Sequence, residues 1–195
     1  GYIEVWNNTE GKFSAARQAS KYSGWWQSLG LGDFDNDGDL DILGGNTGEN
    51  VKYHPKADEG KPVTLFANDF DKSGSRDLIE VKYRKDGCML PGRGRSCSGY
   101  AINYIPQKFS TWAAFADATL EDVYGTGLGT AERFDAGDLR SVLLLNDGDS
   151  FSESALPGCA QWSPAFGLGV ADFNADGKLD VFMCGNFYAT QPETG

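Results

Sequence analysis

"GDFDNDGDLDIL", residues 32–43, sets five aspartates (Asp33, Asp35, Asp37, Asp39 and Asp41) at every second position of a nine-residue window, then enters an apolar run. Carboxylates this close repel one another, and burying one uncompensated costs far more than a hydrogen bond returns. Such a loop either gathers a cation or stays fully in water.

The pattern returns. DFDNDGDLD (33–41), DFDKSGSRD (69–77) and DFNADGKLD (172–180) share the frame D-F-[DN]-x-[DS]-G-x-x-D. Small or apolar runs (GLG, LFAN, GVA) precede the loops and apolar ones (ILGG, LIEV, VFMC) follow, so each loop is expected to join two strands. A second element recurs as VWNNTEGKF (5–13) and LLNDGDSF (144–151): an apolar strand, an Asn/Asp/Gly turn, then Phe. Asn7 precedes Asp33 by 26 residues, and Asn146 precedes Asp172 by 26. Two motifs held at one spacing mark an internal repeat, and multi-strand repeats suggest propeller blades.

The period is uneven, 36 residues from Asp33 to Asp69 and 103 from Asp69 to Asp172. An insertion is therefore expected over about residues 84–135. Within it, STWAAFADATLEDVYG sets Trp112, Phe115, Ala116, Leu120 and Val123 on one helical face. This predicts a helix over 110–124, with Ser110 or Thr111 as N-cap and Gly125 as the stop. The expected fold is all-β: propeller blades with this helical insertion. At roughly 40–50 residues per blade, the chain supplies about three to four blades of a partial propeller. Residues 1–195 read as one segment, opening mid-pattern at GYIEVW, and so as a processed or excised piece of a larger protein.

Calcium takes six to eight oxygens in irregular geometry, which suits alternate side chains converging from a tight turn. The first loop offers Asp33, Asp35 and Asp37, the Asp39 carbonyl and Asp41, with Gly38 taking the left-handed conformation. The second offers Asp69, Asp71, Ser73, the Ser75 carbonyl and Asp77. The third offers Asp172, Asn174, Asp176, the Lys178 carbonyl and Asp180. About three Ca²⁺ ions are the expected cofactors. An EF-hand loop begins similarly but needs Glu at position 12, where this chain has Gly44, Glu80 and Met183, and it needs helices on both flanks.

The three loops hold eleven of the 28 acids, so three divalent ions would take the formal charge from −11 to −5. That charge makes nucleic acid a poor partner, and no apolar run of about 18 residues exists to enter a membrane. Cys88 and Cys97 bracket a Pro/Gly-rich loop short enough to staple, leaving Cys159 with Cys184; the alternative is four reduced thiols. Paired cysteines beside calcium loops point to an oxidising compartment: extracellular, cell-surface or periplasmic.

The loop frame between strands resembles the FG-GAP/VCBS repeat family, known from the β-propeller of integrin α chains. GGNTGEN, KFSTWAAFADATLEDVYG, SVLLLNDGDSF and FGLGVADFNADGKLDVFMCGNFY are similar to bacterial VCBS proteins related to the ASPIC/UnbV group and cartilage acidic protein. The resemblance implies structural calcium at the loop positions named above and a secreted or surface-attached protein within a larger propeller. Ser73 departs from the loop pattern, and the middle insertion departs from the plain repeat.

The expected function is a non-catalytic, calcium-stabilised scaffold for adhesion or protein recognition, with an extracellular protein or polysaccharide as partner. The alternative is a carbohydrate-binding propeller using Trp25–Trp26, or Trp162, as a platform. A polysaccharide-active enzyme is the least favoured reading, because no carboxylate pair stands out among 28 acids. The sole histidine, His54, reads as a surface residue, and GTGLGTAE (125–132) lacks the strand and lysine of a phosphate loop. Lys82, Arg84, Lys85, Arg93 and Arg95 form a basic cluster that reads as a solvated loop or an acidic-partner site.

Overall fold

The short apolar or small-residue runs on both sides of the acidic loops do form strands. The computed structural model describes residues 1–185; the last three positions of the FGLGVADFNADGKLDVFMCGNFY stretch, 186–188, lie outside them. The chain begins with β1 (Glu4–Val5), β2 (Asn8–Thr9), β3 (Lys12–Phe13) and β4 (Arg17–Gln18). Strands β5 (Ser28–Gly32) and β6 (Asp41–Gly45) flank the first loop, and β7 (Val63–Asn68) and β8 (Asp77–Tyr83) the second. Next come β9 (Met89–Pro91), helices α1 (Arg95–Ala101), α2 (Ile105–Lys108), α3 (Trp112–Asp117) and α4 (Leu120–Tyr124), and β10 (Glu132–Ala136). The hairpin β11 (Val142–Asn146) and β12 (Phe151–Ala155) precedes β13 (Gly167–Ala171) and β14 (Asp180–Cys184), which flank the third loop. Strands predominate over short helices and form several antiparallel sheets, as the all-β expectation has it. Among the described residues, no helix is long and apolar enough to cross a membrane.

Two compact units result: residues 1–55 with the chain from 136 onward, and residues 56–135. The first unit is built on a four-stranded sheet of order β12-β11-β6-β5. Its inner pair joins distant parts of the sequence, Val142 lying opposite Gly44 and Leu144 opposite Ile42. One face buries Ile3, Ala19, Ile42, Val142 and Leu144, with Trp26 and Phe151 packed against them. Gly44 permits this closeness, since a Cβ there would sit 2.9 Å from Ile3 Cδ1 and 3.0 Å from Trp26 Cζ3. Beyond β6 the backbone is held by buried polar side chains. Asn46 Oδ1 accepts the Trp25 and Thr47 amides, and its Nδ2 donates to the Asp138 carbonyl. Gln161 bonds the Ser141 backbone at both ends, accepting from its N–H and donating to its carbonyl, as a neighbouring strand would.

The second unit packs buried residues of α2, α3 and α4, with Ile102 just after α1, against the sheet β10-β7-β8-β9. Phe66, Ile79 and Val81 from the strands meet Ile102, Ile105, Phe115, Leu120, Val123 and Tyr124. The helix predicted over 110–124 is two helices. Thr119 is extended (φ −73°, ψ 167°) and starts α4 with a capping box shared with Asp122. Thr111 caps α3 by accepting the Ala114 amide, and Gly125 ends α4. The break turns the expected face, so that Trp112 and Ala116 are exposed while Ala118 is buried. Trp112 instead lies under the Arg95 guanidinium.

The expected disulfides are also corrected: all four cysteines are free. Cys88 ends the turn before β9 while Cys97 lies within α1, and the intervening strand and helix start separate what the sequence suggested was one tight loop. Cys159 lies in the 3-10 turn Gly158–Gln161 and Cys184 ends β14.

Burial pushes the Tyr124 hydroxyl up from 10.0 to about 12. Its contribution to stability is complete below pH 10 and is lost as pH rises through about 12, because the unfolded chain ionises first. A two-unit shift corresponds to about 3 kcal/mol. Tyr124→Phe should therefore lose less stability than the parent between pH 10 and pH 12, measured by urea unfolding at each pH.

Candidate metal centres

The three loops fold alike, bond for bond. In the first, the amides of Asp37 and Gly38 donate to the two oxygens of Asp33, at 3.1 and 3.0 Å, and the Asp37 amide also reaches Asp35 Oδ1. In the second, Ser73 and Gly74 donate to Asp69 at 2.9 Å each, and Ser73 to Asp71 at 3.0 Å. In the third, Asp176 and Gly177 donate to Asp172 at 3.1 and 2.8 Å, and Asp176 to Asn174 at 2.9 Å. The ninth residue closes every loop: Asp41, Asp77 and Asp180 each accept, on Oδ2, the amide of the Phe at position two.

Two left-handed residues produce this wrap. Gly38, Gly74 and Gly177 have φ of 96°, 86° and 84°. The fourth position is left-handed as well, at Asn36 (63°), Lys72 (59°) and Ala175 (60°). Sequence reasoning assigned Gly38 and missed the fourth positions. Only Asn36 carried a signal, since Asn tolerates this region and Lys and Ala do not favour it.

The wrap brings carboxylates together. One oxygen from each of Asp33, Asp35 and Asp37 lies within 4.8 Å of the others, and the same holds for Asp69, Asp71 and Asp77. The third loop repeats the frame with the Asn174 amide oxygen in the place of one carboxylate. Asp35 is held above its ordinary carboxylate value by lost hydration and by repulsion from Asp37, Asp41 and Asp33. Asp77 is raised by burial and by Asp71 and Asp69. Clustered oxygens, mutual repulsion and amides that leave lone pairs free are the conditions a hard divalent cation satisfies, so these residues fit calcium. Ser73 Oγ sits 2.7 Å from Ser75 Oγ, turned to its neighbour's hydroxyl.

Asp41 has a second task. It has no solvent exposure, and its Oδ1 accepts the amide of Asn146, at the end of β11, at 2.8 Å. It stands apart from the Asp33, Asp35, Asp37 cluster. The Gly-rich segment 125–130, a 3-10 helix, supports the second loop: Asn68 Nδ2, one residue before Asp69, donates to the Gly127 carbonyl at 2.9 Å.

Other candidate positions separate. Trp26 donates from Nε1 to the Gly1 carbonyl and packs on the core, and Trp25 meets Tyr53 edge-on at 5.3 Å. Trp162, at 70% exposure, is the open aromatic of the three. His54 is exposed. The basic cluster is partly self-neutralised: Arg84 bonds Asp86, Arg93 bonds Glu80, and Arg95 donates to the Phe109 and Pro106 carbonyls.

Residues 1–44 match the family model of the FG-GAP-like repeat. The match runs from the first strands through the first acidic loop and into β6. No curated protein and no solved structure matches the chain.

Asp41→Asn puts an NH₂ group against one of two donating amides, those of Phe34 and Asn146. Leaving a buried donor unmatched costs about 1–3 kcal/mol. Urea unfolding in chelator should show that loss for Asp41→Asn, and a much smaller one for Asp39→Asn, whose carboxylate is exposed.

Proposed function

We propose that the chain is a calcium-stabilised repeat scaffold of β-propeller type, made of about three to four blades of a larger propeller. On this reading it acts outside the cytoplasm in adhesion or recognition of an extracellular protein or polysaccharide, without catalysis. The observation that carries the proposal is the shared hydrogen-bond frame of the three loops, which in the first two brings three carboxylates within 4.8 Å of one another. The FG-GAP-like match at residues 1–44 agrees with it, since such repeats typically belong to extracellular proteins.

In the first loop Asp33, Asp35, Asp37 and the Asp39 carbonyl would hold the ion, with Asp41 closing the loop behind them. Asp69, Asp71, Asp77, Ser73 and the Ser75 carbonyl would serve in the second. Asp172, Asn174, Asp176, Asp180 and the Lys178 carbonyl would serve in the third. Bound calcium supplies charge neutralisation; the turn's own amides orient the carboxylates before it arrives.

Calorimetric titration of chelator-stripped protein should give about three calcium sites, with dissociation constants of roughly 10⁻⁴–10⁻³ M. At free calcium tenfold above the dissociation constant each site adds about 1.4 kcal/mol, so the melting temperature rises, with little response to magnesium. Asp35→Asn keeps the oxygen that accepts the Asp37 amide and removes a charge, so it should weaken one site about tenfold and spare the others. Absence of binding heat and of any melting shift overturns the metal assignment.

The exposure of Trp162 supports a second reading, carbohydrate binding, with the platform at Trp162 rather than at the packed Trp25–Trp26 pair. A glycan array whose signal is lost in Trp162→Ala and kept in Trp25→Ala supports it; silence on the array leaves protein recognition.

A further inference from the structure

Asn68 and Arg76 set the second acidic loop apart from the other two, and both reach the helical insertion. Where the second loop is preceded by Asn68, the first and third are preceded by Gly32 and Ala171. At position eight Arg76 stands where the others have Leu40 and Leu179. Asn68 Oδ1 accepts the Asp69 amide at 2.9 Å, while its Nδ2 donates to the Gly127 carbonyl at 2.9 Å and to Thr130 Oγ1 at 3.1 Å. One side chain thus joins the first residue of the loop to the 3-10 segment Gly125–Thr130. Arg76 pairs with Glu132, at the start of β10.

Packing adds a third tie. Phe70, whose amide closes the loop on Asp77, sets its ring 5.3 Å from that of Tyr124, the last residue of α4. Gly127 makes room for it, since a Cβ there would sit 2.9 Å from Phe70 Cδ1. The Gly-rich stretch GTGLGTAE therefore has a use unrelated to phosphate. Phe173, the counterpart in the third loop, is 62% exposed. All of these ties to the insertion lie within residues 56–135, the second compact unit, whereas the first and third loops belong to the other unit.

Resting on the reading of the loops as calcium sites, we propose that Asn68 couples the second site to the helical insertion. Occupancy of that loop steadies α4 and the 3-10 segment, and occupancy of the other two does not. Asn68 is a positioning residue, acting through the Asp69 amide rather than as a ligand. Its neighbours Asp69 and Asp71, with Asp77, are the three carboxylates the turn gathers, so fixing them fixes the backbone that carries Asn68 and Phe70. Coupling between sites is reciprocal. The packed insertion therefore raises the second loop's calcium affinity, which compensates for Ser73, a residue without charge at position five.

Hydrogen exchange in the full chain, read by NMR at the bonded amides of Val123, Gly125 and Ala131, tests this in chelator and in calcium. An opening of the insertion that disturbs the loop must also release the ion. Free calcium about tenfold above the dissociation constant should therefore slow exchange at these amides about tenfold. Asp71→Asn keeps the oxygen that accepts the Ser73 amide but removes charge from the second site, and it should remove most of the slowing. Asp35→Asn, in the first loop, should leave the slowing intact. Asn68→Ala should cut the slowing several-fold and weaken one of the three calcium sites by a like factor. Thr130→Val, which takes away one acceptor of Asn68 Nδ2 without touching the loop, should give a smaller loss in the same direction. A merely structural contact would instead speed exchange equally in chelator and in calcium, leaving their ratio unchanged. That result for Asn68→Ala, or three titrating sites with no slowing in the parent, overturns the proposal and leaves the calcium reading in place. Absence of binding heat in the parent overturns both.

Discussion

Asp41, a carboxylate without solvent exposure that accepts two backbone amides, ties together the parts of the first unit. One bond shuts the acidic loop onto the Phe34 amide. The other reaches across 105 positions of sequence to Asn146. A polar group in such a place is tolerated only because amide dipoles replace its water. Once it is fixed, β6 has a defined height against β11, and Ile42, Val142 and Leu144 fall on the same side of the sheet. The rest of that core, Ile3 and Trp26 included, rests on this alignment.

The turn frame explains why the loops look alike despite different residues. Position one accepts two amides, position three accepts one, and the two left-handed residues let the chain reverse within nine positions. None of these bonds needs a cation. The turn is preorganised, and the electrostatic cost of the arrangement falls on the carboxylates, as the upward shifts of Asp35 and Asp77 record. A cation therefore meets oxygens already gathered, and its binding energy goes into relieving repulsion rather than folding the loop.

Much of this was legible in the sequence because the signals were local. The D-F-x-x-x-G-x-x-D frame specified the loops, and the flanking runs specified β5, β6, β7, β8, β13 and β14. The turn motif specified the hairpin at 142–155 and a smaller one at β2–β3, where Asn8 faces Phe13 as Asn146 faces Phe151. What escaped was set by a competing local signal or by distant partners. The split of the 110–124 helix at Thr119 follows from a capping box whose pattern, Thr-x-x-Asp, was present but lay inside an attractive apolar stripe. The cysteine pairing failed because nearness in sequence says nothing once a strand and a helix start intervene. The roles of Asn46, Ser141 and Gln161 were invisible, since burial of a polar side chain depends on which backbone groups the fold leaves unmatched.

The placement of residues 56–135 between β6 and β11 carries a cost in time. Gly44 and Val142, partners in the central pair of the first sheet, are 98 positions apart. At ribosomal speeds of about 5–20 residues per second, β6 waits roughly 5–20 s for its neighbour. During that interval it is a two-stranded ribbon with an uncovered edge, Asp41 lacking the second of its two amides. The intervening unit, complete with its own core, can fold in the meantime. Newly made chains thus pass through a stage with one finished body and one unfinished sheet. That stage is when a holding chaperone, or another nascent chain, has the best access to β6.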